Sequence, residues 1–490
     1  MGMAPDISSS PTKTHHPRGL RTLFFTEMWE RFSFYGMRGI LVLFLVDRTG
    51  GGFGLNDEVA TAIYGLYTAA VYLAALPGGW IADRVLGARK AVWIGGIVIA
   101  LGHFTLAMDR RELFYLGLVL IVAGTGLLKP NISAMVGALY PEGGARRDAG
   151  FTIFYMGINL GAALGPIICG ALANKLRWQI GFSAAGVGMI LGLAQFYLAR
   201  THLGEIGIRR EPVRAAHRAT FFVAIVVIAL VTALCLAGII SISPVRLAQL
   251  AKNSLVAIGL IYFAAIFLTG RLEASERKRV FMIFILFVAS AVFWAGFEQM
   301  GSSFNLFAER FTARRAFGFE FPAPWFQSVG PILIIALSPL IAAAWVSLGR
   351  KNLDPSIPQK FGAGLLFLSL GFVLISAAAG FAARWGNVGP WWLVGTYFLH
   401  TVGELCLSPV GLSSITKLAP ERFVGQMMGV WFLGASLGNL IAGLTAGSLK
   451  TNSPGELSSG FLQIAIAPAI AGILLIALSK PISRLSAHIR

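Results

Sequence analysis

The chain has 490 residues, 56% of them hydrophobic and only 13% charged, against the about 25% charge usual in a soluble protein. That composition excludes a soluble globular domain and points to a polytopic helical membrane protein. The formal net charge of +18 would suit nucleic acid, but no basic patch interleaved with aromatics stands outside the apolar segments, so no nucleic-acid partner is expected.

Residues 1–20 lack an apolar core and do not read as a cleavable signal peptide. From there, about fourteen apolar stretches of spanning length follow. They lie near 23–45, 59–81, 91–108, 113–138, 150–173, 181–199, 219–242, 253–270, 280–300, 324–347, 362–383, 391–415, 425–448 and 459–480. An even number of spans puts both termini on one side. Most of the 40 Lys and Arg fall on that side, the positive-inside signature of cytoplasmic termini, and the basic loops there face anionic lipid headgroups. The connection 200–218 reads as a topology anchor.

The first span carries Glu27-Met-Trp-Glu30-Arg31-Phe-Ser-Phe34-Tyr35-Gly-Met-Arg38. At about 100° per residue, positions 27, 30, 31, 34 and 38 share one helical stripe. A charge at a bilayer centre costs roughly 2.5–3.5 kcal/mol on insertion scales, so this cluster must face a protein or water-filled interior and pair there. The loop after the second span, Gly79-Trp-Ile-Ala-Asp83-Arg84-Val-Leu-Gly87-Ala-Arg89-Lys90, resembles the signature loop of the major facilitator superfamily. Asp83 can accept at a helix end, Gly87 permits a tight turn, and the basic residues hold the loop at the surface.

Two six-span halves fit the chain. We divide it into a cytoplasmic tail (1–20), an N-terminal six-helix bundle (21–200), a linker with two extra spans (201–278), a C-terminal six-helix bundle (279–483) and a second tail (484–490). The extra spans, 220–242 and 255–270, hold almost no internal polarity, as lipid-facing helices should. Gly157-Ile-Asn159-Leu-Gly161 is echoed by Gly434-Ala-Ser-Leu-Gly438, and Lys129-Pro130 by Ser408-Pro409. Both matches sit at a nearly constant offset of about 280 residues, as two parallel repeats require. The expected fold is an all-α major facilitator fold of twelve core helices plus two.

Beyond the first span, the charges inside the membrane are Lys129, Glu298 and Glu404. Lys129 and Glu404 fall at nearly equivalent places in the two repeats, and substrate sites of such folds lie near the midplane between repeats. A cation from one half and an anion from the other can clamp a small zwitterion; the alternative is an ion pair that locks the halves together. His400, one turn before Glu404, reads as a packing histidine rather than a proton relay. Cys169, Cys235 and Cys406 all lie inside spans without CxxC spacing, which leaves small apolar packing as their role. No HExxH or Ser/His/Asp set is visible, so neither a metal, a cofactor nor a catalytic residue is expected, and the chain does not read as an enzyme.

The first-span stretch Glu27-x-x-Glu30-Arg31-Phe-x-Phe34-Tyr35-Gly resembles the ExxERFxYYG motif of proton-dependent oligopeptide transporters, a family of the major facilitator superfamily. Gly124-Thr-Gly126-Leu-Leu-Lys129-Pro130-Asn131, Phe154-Tyr-Met-Gly157-Ile-Asn159, Phe293-Trp294-Ala-Gly-Phe297-Glu298-Gln299 and Gly403-Glu404-Leu-Cys-Leu-Ser408-Pro409 resemble further signatures of that family, in order along nearly the whole chain. The resemblance implies a monomeric, prokaryotic-type symporter of the bacterial inner membrane that imports di- and tripeptides, with protons as the coupling ion. It implies that Glu27, Glu30, Arg31 and Glu298 couple proton movement to binding. Lys129 and Arg31 would meet the peptide carboxylate, while Asn159 and Glu404 would meet its amino end. Tyr35, Tyr72, Trp294 and Trp431 would line side-chain pockets, with Arg38 and Ser408 also at the substrate. Arg38 with Glu298, and Lys129 with Glu404, would pair across the bundles. Phe34, Phe297 and Gly330 depart from the pattern, where the family often has a Tyr, an acid and an Asn. A small-anion symporter on the same fold is the runner-up, but it would need no acid at the clamp, and Glu404 argues against it.

Overall fold

The computed structural model describes residues 15–316 and 318–486; positions 1–14 and 487–490 of the two expected tails lie outside the described residues. Among those described, fourteen long helices coincide with the fourteen apolar stretches. They are α1 (Arg18–Val46), α2 (Asp57–Ile81), α3 (Ala88–Leu106), α4 (Arg111–Ala138), α5 (Gly144–Lys175), α6 (Trp178–Leu198), α7 (Ala215–Leu236), α8 (Pro244–Thr269), α9 (Ala274–Phe297), α11 (Val329–Arg350), α12 (Ile357–Trp385), α13 (Trp391–Leu418), α14 (Val424–Ser448) and α15 (Pro454–Ala477). Two short helices, α10 (Ser303–Phe311) and α16 (Ser479–Ser483), and a two-stranded hairpin at Arg315–Ala316 and Phe319–Glu320 complete the order. Eleven of the long helices are long and apolar enough to cross a membrane by length and composition. The exceptions are α1, α3 and α13. The first and last carry the charges that make a site.

Helix α1 packs against α5 and α6, α3 against α4 and α6, and α2 against α4; in the second half α12 packs on α13 and α15, and α14 on α9. The halves meet through α2 with α14 and through α5 with α11. α1 approaches α5 through small residues. A Cβ on Gly161 would collide with the Met28 carbonyl and sit 2.9 Å from both Arg31 Cβ and Phe32 N. Only a bare Cα lets the two backbones meet there, which sets the charged stripe of α1 directly against α5. Helix α7 buries no residue and α8 only a few, as expected for spans that are apolar all round and face lipid.

Two features were absent from the sequence reading. The span expected at 280–300 is broken: α9 ends at Phe297, a 3-10 turn runs through Glu298–Gly301, and α10 continues. The turn comes so close to α2 that a Cβ at Gly301 would collide with the Tyr64 hydroxyl. The connection after α6 also does more than anchor topology. Gly87 turns at φ 80°, which lets Arg89 N donate to the Gly207 carbonyl at 3.0 Å. The Arg89 guanidinium donates to the carbonyls of Gly204 at 2.7 Å and Arg200 at 2.5 Å. The signature loop is thereby strapped to residues 199–214.

Candidate functional site

The charges in the middle of α1 are buried: Glu27, Glu30, Arg31 and Arg38 are each 7% exposed or less. Arg31 Nε lies 2.8 Å from Glu27 Oε1 and 2.9 Å from Glu30 Oε2. Glu27 Oε2 and Glu30 Oε1 meet no hydrogen-bond partner. One guanidinium between two buried carboxylates leaves an excess negative charge that a proton or a further cation must balance. Lys129 on α4 is near enough to interact electrostatically with Glu30, Glu27 and Glu298, and its Nζ rests 4.2 Å above the Tyr72 ring.

Arg38, two turns further along α1, reaches the other half of the molecule. Its Nη2 lies 2.5 Å from Glu298 Oε2, and its Nε donates to the Tyr64 hydroxyl at 2.6 Å. The rings of Tyr35 and Tyr64 each stand 5.5 Å from its guanidinium carbon. Glu298 is held at this point because the helix breaks there, so its side chain leaves the end of α9 rather than the middle of a regular span.

Lys129 and Glu404, expected to pair, are not joined: no ion pair among the described residues links them. Glu404 on α13 keeps Oε2 unpartnered and interacts electrostatically with Glu298. The reason lies in how the halves meet. The side-chain hydrogen bonds that join them fall at mid-membrane or toward the end of the helices distal to the termini. Asn305 and Gln327 both donate to the Gly39 carbonyl, at 2.8 and 3.2 Å. Ser328 donates to Ala163 O at 2.6 Å, Trp325 to Ile167 O at 3.0 Å and Ser436 to Ala69 O at 3.0 Å. Arg310 of α10 grips Asp57 at the start of α2 with both terminal nitrogens, at 2.6 and 2.8 Å. These contacts seal the distal end, and none of them involves Lys129 or Glu404.

The other expected residues lie on α1, α2, α5, α9, α13 and α14. Asn159 is buried and donates to the Tyr155 carbonyl one turn earlier at 3.0 Å. Tyr35, Tyr72, Trp294 and Ser408 are half-buried, and the Trp294 indole N–H has no partner. Trp431 is more enclosed, edge-on to Phe361 at 6.4 Å and tight against Gly411. Of the departures, Phe34 stacks on Tyr67 at 6.0 Å, and Phe297 stacks on Phe293 at 5.5 Å. A Cβ on Gly330 would meet only Thr401 Oγ1, at 3.7 Å, and that hydroxyl lacks a partner. His400 sits in a cage of Phe304 and Phe372, at 5.5 and 5.2 Å. Sequence reasoning missed Tyr64, whose spacing to Tyr67 on α2 was a usable signal. It also missed the Arg310–Asp57 pair, which had none because its members are distant in the chain.

Two packed helical repeats, a seal at one end and buried charges between them define a major facilitator transporter. The profile of the POT family matches residues 89–457, and the chain belongs to that family, which consists of transporters and not of enzymes. It is 43% identical to the peptide transporter YePEPT of Yersinia enterocolitica subsp. palearctica, over 96% of this chain and 95% of that one. It is 38% identical to a di-/tripeptide transporter of Lactococcus lactis subsp. cremoris, over 97% of each. The crystal structure of a peptide transporter POT in complex with sulfate superposes with a TM-score of 0.89 at 42% identity, covering 97% of this chain and 96% of that one.

Proposed function

We propose that the protein imports di- and tripeptides with protons, by alternating access, across the bacterial inner membrane, and works as a monomer. The observation that carries this reading is the buried charged frame: an acid pair sharing one arginine on α1, Lys129 within electrostatic reach of that pair, and Glu404 on the other half with Oε2 unpartnered. A short peptide presents one carboxylate and one ammonium at a separation set by its length and not by its side chains. Arg31 and Lys129 receive the first, Glu404 and Asn159 the second, so recognition depends on the termini and not on the side chain. Tyr35, Tyr72 and Trp294 offer apolar faces with polar edges to varied side chains, with Arg38, Ser408 and Trp431 at the margins.

The coupling follows from the charge count on α1. A proton on Glu27 or Glu30 removes the excess negative charge and frees Arg31 for the substrate carboxylate; a proton on Glu298 frees Arg38 and loosens the seam. With the termini in the cytoplasm, the sealed distal end is periplasmic, and the conformation faces inward. The test is uptake of labelled dialanine by proteoliposomes with and without an imposed inward proton gradient. Accumulation only with the gradient is expected. Nitrate flux without dialanine uptake at any pH would support the small-anion reading instead.

A further inference from the structure

A second set of cations lies outside this frame, at the foot of α1. A cavity of about 700 Å³ is lined by His16, Arg18, Arg21, Phe24, Phe25 and His202, among others, with no carboxylate among its described lining residues. Arg18 and Arg21 are exposed and make no ion pair or side-chain hydrogen bond with a described residue. His16 Nδ1 is 2.7 Å from the Tyr140 hydroxyl, and His202 Nδ1 is 3.4 Å from Thr22 Oγ1. Both imidazoles are thus fixed at the rim. The nearby carboxylate of Glu142 is engaged by Arg146 at 3.0 Å, so it does not neutralise the cavity.

The placement of these groups along the helix is specific. Arg18, Arg21 and Phe25 are spaced three and four residues apart and share one face of α1. At 1.5 Å per residue they span about 10 Å of helix axis, roughly the step from the headgroup layer into the acyl boundary. Phe25 is 37% exposed on that face. An amphiphile with an anionic head and an apolar body matches both the arginines and the ring.

We propose that this cavity binds the phosphate headgroup of an anionic phospholipid, with Arg18 and Arg21 on the phosphate and Phe24 and Phe25 against the upper acyl chain. The arginine fork suits a phosphate diester through paired N–H donors. The cavity walls come from α1, from Ile153 on α5 and from the connection after α6, with no residue of the C-terminal bundle among them. The bound lipid therefore steadies the foot of the helix that carries Glu27 to Arg38 and does not block the path between the halves.

The full-length protein in nanodiscs tests this, with phosphatidylglycerol and phosphatidylcholine as competing probes and retained lipid counted by native mass spectrometry. A preference for phosphatidylglycerol on the order of tenfold is expected from two arginines near the surface, falling as salt rises. The double variant Arg18→Gln, Arg21→Gln should retain the two lipids equally, while Arg315→Gln, at an exposed arginine near the distal end, should keep the preference. Arg18→Lys with Arg21→Lys preserves the charges and should retain most of the preference, which controls for folding. An unchanged preference in the double Gln variant would overturn the proposal. So would displacement of phosphatidylglycerol by millimolar inorganic phosphate, which would make the cavity a site for the free anion.

Discussion

Arg38 Nη2 lies 2.5 Å from Glu298 Oε2, a buried pair that ties the first helix of one half to the broken helix of the other. Breaking one partner of such a pair costs about 3–5 kcal/mol, because the survivor is left buried and uncompensated. Glu298→Ala should therefore lower the melting temperature sharply in detergent. The double substitution Arg38→Met, Glu298→Met should recover most of that stability while leaving peptide uptake abolished. If the double variant melts as low as the single one, the loss is not that of an orphaned charge.

The seal at the distal end makes a separate prediction. Arg310 and Asp57 are joined by two hydrogen bonds, and Arg310 also reaches Thr451 Oγ1 at 2.7 Å. Thr61 on α2 is fully buried in the same seam, where Gly447 comes within 2.9 Å of its hydroxyl once a Cβ is added. A Thr61→Cys reporter should label slowly with a membrane-impermeant maleimide. Adding Asp57→Asn should weaken the seam by about 1.4 kcal/mol and raise labelling roughly tenfold. Equal rates would place the closure elsewhere.

Close approach of α1 to α5 depends on Gly161. Gly161→Val should cost about 3 kcal/mol or more, at the upper end of overpacking penalties, since backbone and not a flexible side chain stands in the way. Thermal unfolding reports it directly. A variant as stable as the parent would mean the helices separate without consequence, and the charged stripe would not need α5 beside it.

Acid sensitivity should appear at the loop after α1. Burial alone would raise the Asp47 carboxyl, but the N–H groups of Gly50, Thr49 and Gly52 and the Trp178 indole hold it below the usual carboxylate range. A depressed native value means this stabilisation is complete above the ordinary carboxylate range near 4 and is lost as pH falls through the native value. Trp178 Nε1 donates to Asp47 Oδ2 at 2.7 Å, so Trp178 quenching or lifetime should change in acid. In Asp47→Asn that acid transition should vanish; its persistence would assign it to another group.

The fourteen spans were legible because each is an apolar run of membrane length, and the stripe of α1 because charge inside such a run demands a partner. The break after Phe297 was not legible. Its cause is a tertiary contact, the approach of Gly301 to Tyr64, and a glycine beside two serines inside an apolar run carries no local sign of it. The pairing of Lys129 with Glu404 was read from equivalent positions in the two repeats. Sequence equivalence sets which helices correspond but not which side chains meet, and no ion pair joins these two among the described residues. Asp57 and Arg310 look like ordinary flanking charges until the fold brings them together.

We propose that the acid pair sharing Arg31 carries the coupling proton, and Glu27→Gln isolates that role. In proteoliposomes, this variant should bind and exchange labelled dialanine in counterflow yet fail to accumulate it against a gradient when the outside is acidified. Gradient-driven accumulation at the level of the unmodified protein would mean that the coupling proton does not ride on this pair.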